Sequence, residues 1–183
     1  MNVIAPWLKV GVVSLVVFLA RIEGLATRPV SSAGSPKTAA CEAPEYRQFD
    51  FWVGDWDAFD VESPTTQVAR IRVDLILDGC VLRENYEGTN GLNGHSFTIY
   101  DASRKVWHQS WVTNRGQLLI IEGKIQVGEI VLSGVDYAAG GRTLIRGTWK
   151  PVDAGVRETA ESSTDGGKTW KPWFDLLFRP HKP

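Results

Sequence analysis

A chain of 183 residues accommodates one domain of ordinary size with a terminal extension. Its formal charge of −1 spreads over 20 basic and 21 acidic residues with no long like-charge run, which removes the electrostatic case for nucleic acid or an anionic membrane as partner. Eight Trp, seven of them after residue 50, demand an aromatic core or pocket wall, since each indole buries roughly 150–250 Å².

The first 40 residues differ in composition from the rest. Residues 10–20 form an uncharged apolar run preceded by Lys9, the pattern of an export signal, with a small-x-small cleavage site at Gly24 and Ala26. The expectation is a signal peptide over 1–26, or alternatively an uncleaved N-terminal anchor over 3–20. Residues 27–43, rich in Ala, Ser, Thr and Pro, read as a flexible tether, and 44–183 as the folded domain. The expected location is therefore periplasmic or secreted, or anchored to the inner membrane by the N-terminal segment. Export makes pairing of Cys41 with Cys80 the expectation, two separate buried thiols being the alternative.

Tyr46, Phe49 and Trp52 recur at i, i+3, i+6, a short helical turn with one apolar face. Ten strand-like segments follow at the 8–12 residue spacing of all-β domains: 54–61, 68–76, 79–87, 95–101, 106–113, 117–125, 129–136, 142–150, 155–163 and 169–179. Their connections carry turn chemistry, as in Asn114-Arg115-Gly116, Gly140-Gly141 and Asp165-Gly166-Gly167. No helical period separates the strands, so a parallel α/β sheet is not expected. The fold class is all-β: a single antiparallel up-and-down barrel of about ten strands, a short N-terminal helix capping one end.

Several segments taken together carry a family resemblance. They are R-Q-F-D-F-W-V-G-D-W (47–56), G-C-V-L-R-E-N-Y-E-G (79–88), G-H-S-F-T-I-Y-D (94–101), W-H-Q-S-W-V (107–112), T-W-K-P (148–151) and S-T-D-G-G-K-T-W (163–170) with F-D-L-L-F-R (174–179). From about Cys41 to Arg179 the chain resembles a bacterial family of mostly exported domains with a lipocalin-like (calycin) barrel. The resemblance implies a fold and a compartment and no particular reaction. Such proteins often carry an aromatic before the final Arg and a Trp before the Glu of the ninth strand. Phe178 and Ala160 stand there in this chain, so neither hydroxyl nor indole chemistry is expected at them.

Strand alternation sorts the polar residues onto faces. Glu84 and Tyr86 share one face of the third strand; Gln109 shares a face with Trp111 in the fifth. In 95–101, Ser96, Thr98 and Tyr100 oppose Phe97 and Ile99, and which set is lumenal stays open. The expected ligand-binding set is Glu84, Tyr86, Thr98, Tyr100, Gln109 and Trp111, together with Arg146 and Arg157. Aromatics with a few polar anchors are the usual make-up of a small-molecule site. Glu84, a carboxyl among aromatics, is the candidate general acid or base. The plainer alternative pairs Glu84 with Arg146 or Arg157 across the barrel.

Trp52, Gly54 and Trp56 read as a structural plug, the glycine allowing a tight corner. S-T-D-G-G-K-T-W reads as one Asp-box hairpin, in which Asp165 accepts from turn amides and Trp170 packs beneath. His95 and His108 lack convergent ligand partners, so no metal is expected. Related nitrobindin-type barrels bind haem through a proximal His, but no His falls in the last two strands, and haem is not favoured. The expected role is binding of a small apolar or aromatic molecule in the lumen. The alternatives are a cofactor-free isomerase, cyclase or lyase using Glu84 with a Tyr, and a non-catalytic envelope scaffold.

Overall fold

A repeat of three, Tyr46–Phe49–Trp52, is the period of a 3-10 helix rather than an α-helix, and the chain obeys it. In the computed structural model, which describes residues 41–137, 140–153 and 155–182, the domain opens with two 3-10 turns, Pro44–Arg47 and Asp50–Trp52. They bury Phe49 and Trp52 and half-bury Tyr46. The expected export segment, residues 1–26, lies outside the described residues, as does the tether up to residue 40.

The ten strands are β1 (Gly54–Asp60), β2 (Gln67–Ile76), β3 (Val81–Gly88), β4 (Asn93–Asp101), β5 (Val106–Thr113), β6 (Leu118–Gln126), β7 (Glu129–Asp136), β8 (Thr143–Val152), β9 (Gly155–Ser163) and β10 (Lys171–Pro180). Each pairs antiparallel with its chain neighbours, and β1 pairs with β10 to close the barrel. Closure leaves no edge strand to template aggregation. Every strand end falls within two residues of its expected position. One boundary changes a residue's setting: Cys80 does not open β3 but ends the turn before it, after Leu77 and Asp78 at φ 51° and 57°.

Alternation assigns the interior. Ala58, Ala69, Ile71, Val73, Leu132 and Ile145 are among its buried aliphatics. On β4 the polar residues point inward: Ser96 and Thr98 are fully buried, whereas Phe97 and Ile99 are exposed. Phe97, Val112, Leu118 and Ile120 are exposed on the outer wall of β4–β6, where Val112 pairs with Leu118 and Ser110 stands between Phe97 and Ile120.

One end of the barrel is plugged. Phe49 stacks on Trp52 at 5.0 Å between ring centroids and meets Trp107 and Trp149 edge-on at 5.6 and 5.7 Å. The Trp56 indole N–H donates to the Trp52 carbonyl at 3.0 Å, and that of Trp107 to Gln48 Oε1 at 3.2 Å. Gly54 is not the expected corner. It is a strand residue, and a Cβ there would stand 2.5 Å from the Trp56 ring, so the missing side chain is space for the indole. Gly147 makes the same room for Trp149, with 2.8 Å to the ring.

A disulfide joins Cys41 to Cys80, 39 residues apart, and Arg47 donates to the Gly79 carbonyl beside it. The segment carrying the plug is thus tied to the β2–β3 turn. The chain-entropy model assigns a loop of this length about 4 kcal/mol. Cys41→Ser with Cys80→Ser is expected to lower unfolding free energy in urea by about 2–5 kcal/mol. A loss under about 0.5 kcal/mol would show that the plug holds without its covalent tie.

Candidate functional site

The far end of the barrel is unfilled. A cavity of about 360 Å³ lies within it, and its wall includes Asp60, Val68, Leu92, Gln117 and Trp173, all near the turns opposite the plug. Ligand pockets commonly have volumes of this order. Deeper in, the wall is formed by Glu84, Tyr86, Gln109, Trp111, Trp149 and Glu158. Tyr86 and Trp111 meet edge to face, 5.6 Å between centroids at 90°. Gly94 leaves room for that indole, a Cβ there standing 2.5 Å from it.

Each acid's position follows from strand count. Glu84 on β3 and Glu158 on β9 are both the fourth residue from the plugged end, and their strands lie on opposite sides of the closed sheet. They therefore share one level of the lumen, above the aromatic plug. Glu84 is 6% exposed and accepts a hydrogen bond from the Ser96 hydroxyl at 2.7 Å. Beside it, the Gln109 amide donates to the Thr98 hydroxyl at 3.0 Å. Glu158 keeps part of its surface accessible because it borders the cavity, yet protein encloses its carboxyl.

No cation offsets these charges. Among the described residues neither glutamate forms an ion pair, and no Lys, Arg or His lines the cavity. Burial accordingly raises the Glu84 pKa to about 7 against the opposing pull of the Ser96 hydrogen bond. Glu158 is pushed well above the usual carboxylate range, first by burial and then by the charge of Glu84. The Trp149 indole lies near enough to moderate that rise, although its N–H falls short of hydrogen-bond geometry and has no partner. Tyr86 is also raised, by burial and by both glutamates.

The remaining expected site residues lie elsewhere. Arg146 and Arg157 occupy the outer face, where Arg146 pairs with Glu161 at 3.0 Å and Arg157 forks onto Asp175, its Nε at 2.8 Å. Neither reaches across the barrel to Glu84, because both alternate outward from lumenal neighbours. Thr98 is interior but serves Gln109 rather than the cavity wall, and Tyr100 packs at the plug against Tyr46 and Trp107. Glu158 was not among the expected residues. Its signal is its place between Val156 and Ala160, both buried, on the face opposite Arg157.

The Asp-box is a turn device. Asp165 accepts from the Lys168 and Thr169 amides at 3.0 Å each and from the Thr169 hydroxyl at 2.6 Å. Trp170 donates to the Gly167 carbonyl, and the Arg146 guanidinium lies 4.2 Å over its ring. His95 is exposed, and His108 pairs with Glu122 at 2.7 Å, so neither borders the lumen. Among the described residues no group of three His, Cys, Asp or Glu is placed to hold a metal ion. A second depression of about 350 Å³ lies on the outer wall of β7–β10, but its charges are already matched, Lys150 by Glu129 and Arg157 by Asp175. No protein-family model matches the chain, and no curated protein matches it.

The Glu84 carboxyl makes a signed prediction. Between 4.5 and about 7 the native state holds a proton that the unfolded chain has released. Stability must therefore fall as pH rises through that window, by about 3 kcal/mol from this group on full ionisation. Glu84→Gln keeps a hydrogen-bond partner for Ser96 and removes the charge. Urea unfolding from pH 5 to 8 is expected to show a declining wild-type stability and a flatter profile for the variant. Parallel profiles would place Glu84 in water.

Proposed function

We propose that the chain is an exported, lipocalin-like barrel whose lumen binds a small apolar or aromatic molecule. The observation that carries this reading is the unfilled cavity of about 360 Å³, closed below by the aromatic plug and walled by Tyr86 and Trp111. A core meant only to support the sheet would be filled, since interiors pack without voids larger than a water molecule. The disulfide supports export to an oxidising compartment. Among the described residues no helix is long and apolar enough to cross a membrane.

Ala160 offers a way to close the site. It is buried, lies next but one to Glu158 and borders the cavity, so Ala160→Trp introduces an indole into the ligand volume. N-phenyl-1-naphthylamine, a neutral apolar fluorophore, is expected to brighten on binding wild type and at least tenfold less with the variant, circular dichroism confirming that the barrel persists. Equal enhancement by both would place the probe outside the lumen.

Proton transfer is a second reading, favoured by the two carboxyls themselves. A glutamate ionising near neutrality, opposite one raised well above the ordinary carboxylate range, supplies a general base and a general acid within one enclosure. That arrangement suits a cofactor-free isomerase, cyclase or lyase. The exposed apolar residues of β4–β6 are the feature that a scaffold role would use.

A further inference from the structure

The outer wall of the barrel and its lumen treat acidic residues differently. Outside, carboxyls are matched by arginines: Asp55 with Arg70, Asp74 with Arg83, Glu161 with Arg146 and Asp175 with Arg157 across neighbouring strands, and Glu122 with Arg104 from the β4–β5 turn. Inside, Glu84 and Glu158 face the same cavity without a counter-ion, and Asp60 adds a third carboxyl to its wall. Leaving a buried acid unmatched costs stability, and two at one level cost more through mutual repulsion. Arginine matches the acid at each of these outer sites, yet among the described residues no basic side chain borders the cavity.

The rest of the wall is suited to one kind of guest. Tyr86, Trp111, Trp149 and Trp173 present aromatic surface, and an aromatic face attracts a cation most strongly where water is excluded. The polar groups beside the acids are neutral. Ser96 already donates to Glu84, and Gln109 donates to Thr98. An anionic guest would meet three carboxyls and no positive charge. A neutral guest would leave the acids uncompensated.

Building on the lumenal reading above, we infer that the natural ligand is an organic cation: an aromatic or apolar body with one protonated amine, the ammonium seated between Glu84 and Glu158 and the body against Tyr86 and Trp111. Its donors would take up the carboxylate oxygens that no basic side chain serves. Because burial raises the pKa of both carboxyls, seating an ammonium between them favours the charged forms, and a proton still held there leaves to solvent. Affinity therefore rises with pH through neutrality, until the amine itself begins to lose its proton. The groups that set this dependence are Glu84 and Tyr86 from β3 and Glu158 from β9; Asp60 from β1 faces the same cavity, and the lining residues of β5, β6, β8 and β10 carry no charge.

Three probes with one skeleton test this: 4-phenylbutylamine, 4-phenylbutanol and 4-phenylbutyrate, titrated calorimetrically into the disulfide-bonded protein at pH 7.5. The amine is expected to bind at least tenfold more tightly than the alcohol, and the carboxylate most weakly. The heat of amine binding should vary with the ionisation enthalpy of the buffer, reporting proton release. Glu84→Gln and Glu158→Gln should each erase most of the preference for amine over alcohol. Equal affinity for amine and alcohol, or a preference for the carboxylate, overturns the cation assignment and leaves the lumenal site standing. Silence from all three while N-phenyl-1-naphthylamine still binds overturns the assignment as well. Silence from every probe overturns both readings.

Discussion

Phe49 lies face to face on Trp52 and edge-on to Trp107 and Trp149, and the interior of this barrel is arranged around that contact. A closed sheet satisfies its own backbone but leaves two open ends. Here one end is sealed by rings from the chain preceding β1 and from β5 and β8, each ring pair adding about 0.5–1.5 kcal/mol beyond the area it buries. The seal depends on glycine as much as on tryptophan. Gly54 and Gly147 each precede their Trp by two residues on the same face, and each leaves the hollow that the indole occupies. The Cys41–Cys80 bridge then fastens the segment supplying Phe49 and Trp52 to the barrel rim.

A plug at one end confines the unfilled volume to the other, and places its floor at the level of Glu84 and Glu158. Electrostatics there differs from that of the outer wall. An exposed Asp–Arg fork such as Asp74–Arg83 contributes little either way, because water screens both partners. An enclosed carboxyl without a partner instead shifts its titration toward neutrality, and the charge of a second facing it adds to the rise. Both glutamates occupy positions where a Gln would fit at less cost. Such local cost is the kind of feature that function, rather than folding, maintains.

Strand positions were legible in the sequence because alternation and turn residues are local signals. The Asp-box was legible for the same reason: Asp165 contacts only its own turn. Facing was harder. Hydrophobicity points Phe97 and Ile99 inward, but Ser96 and Thr98 take that side because Glu84 and Gln109 need their hydroxyls. Gly54 looked like a corner because the mass that occupies its missing side chain, the Trp56 ring, is placed by tertiary packing. Arg157 is expected in the lumen because an enclosed acid such as Glu84 calls for a basic partner. The structure gives that arginine to Asp175 instead. Pairings of this kind depend on which strands become neighbours, and no local window contains that.

The central claim is that the lumen encloses two carboxyls with no positive charge among the described residues to balance them. Its most direct measurement is carbon-13 NMR of the glutamate side-chain carboxyls, followed from pH 4 to 10 and assigned with the two Gln variants. Glu84 is expected to titrate near 7, and Glu158 well above the ordinary glutamate value. Two carboxyls titrating independently near 4.5, the ordinary glutamate value, would contradict an enclosed and uncompensated pair.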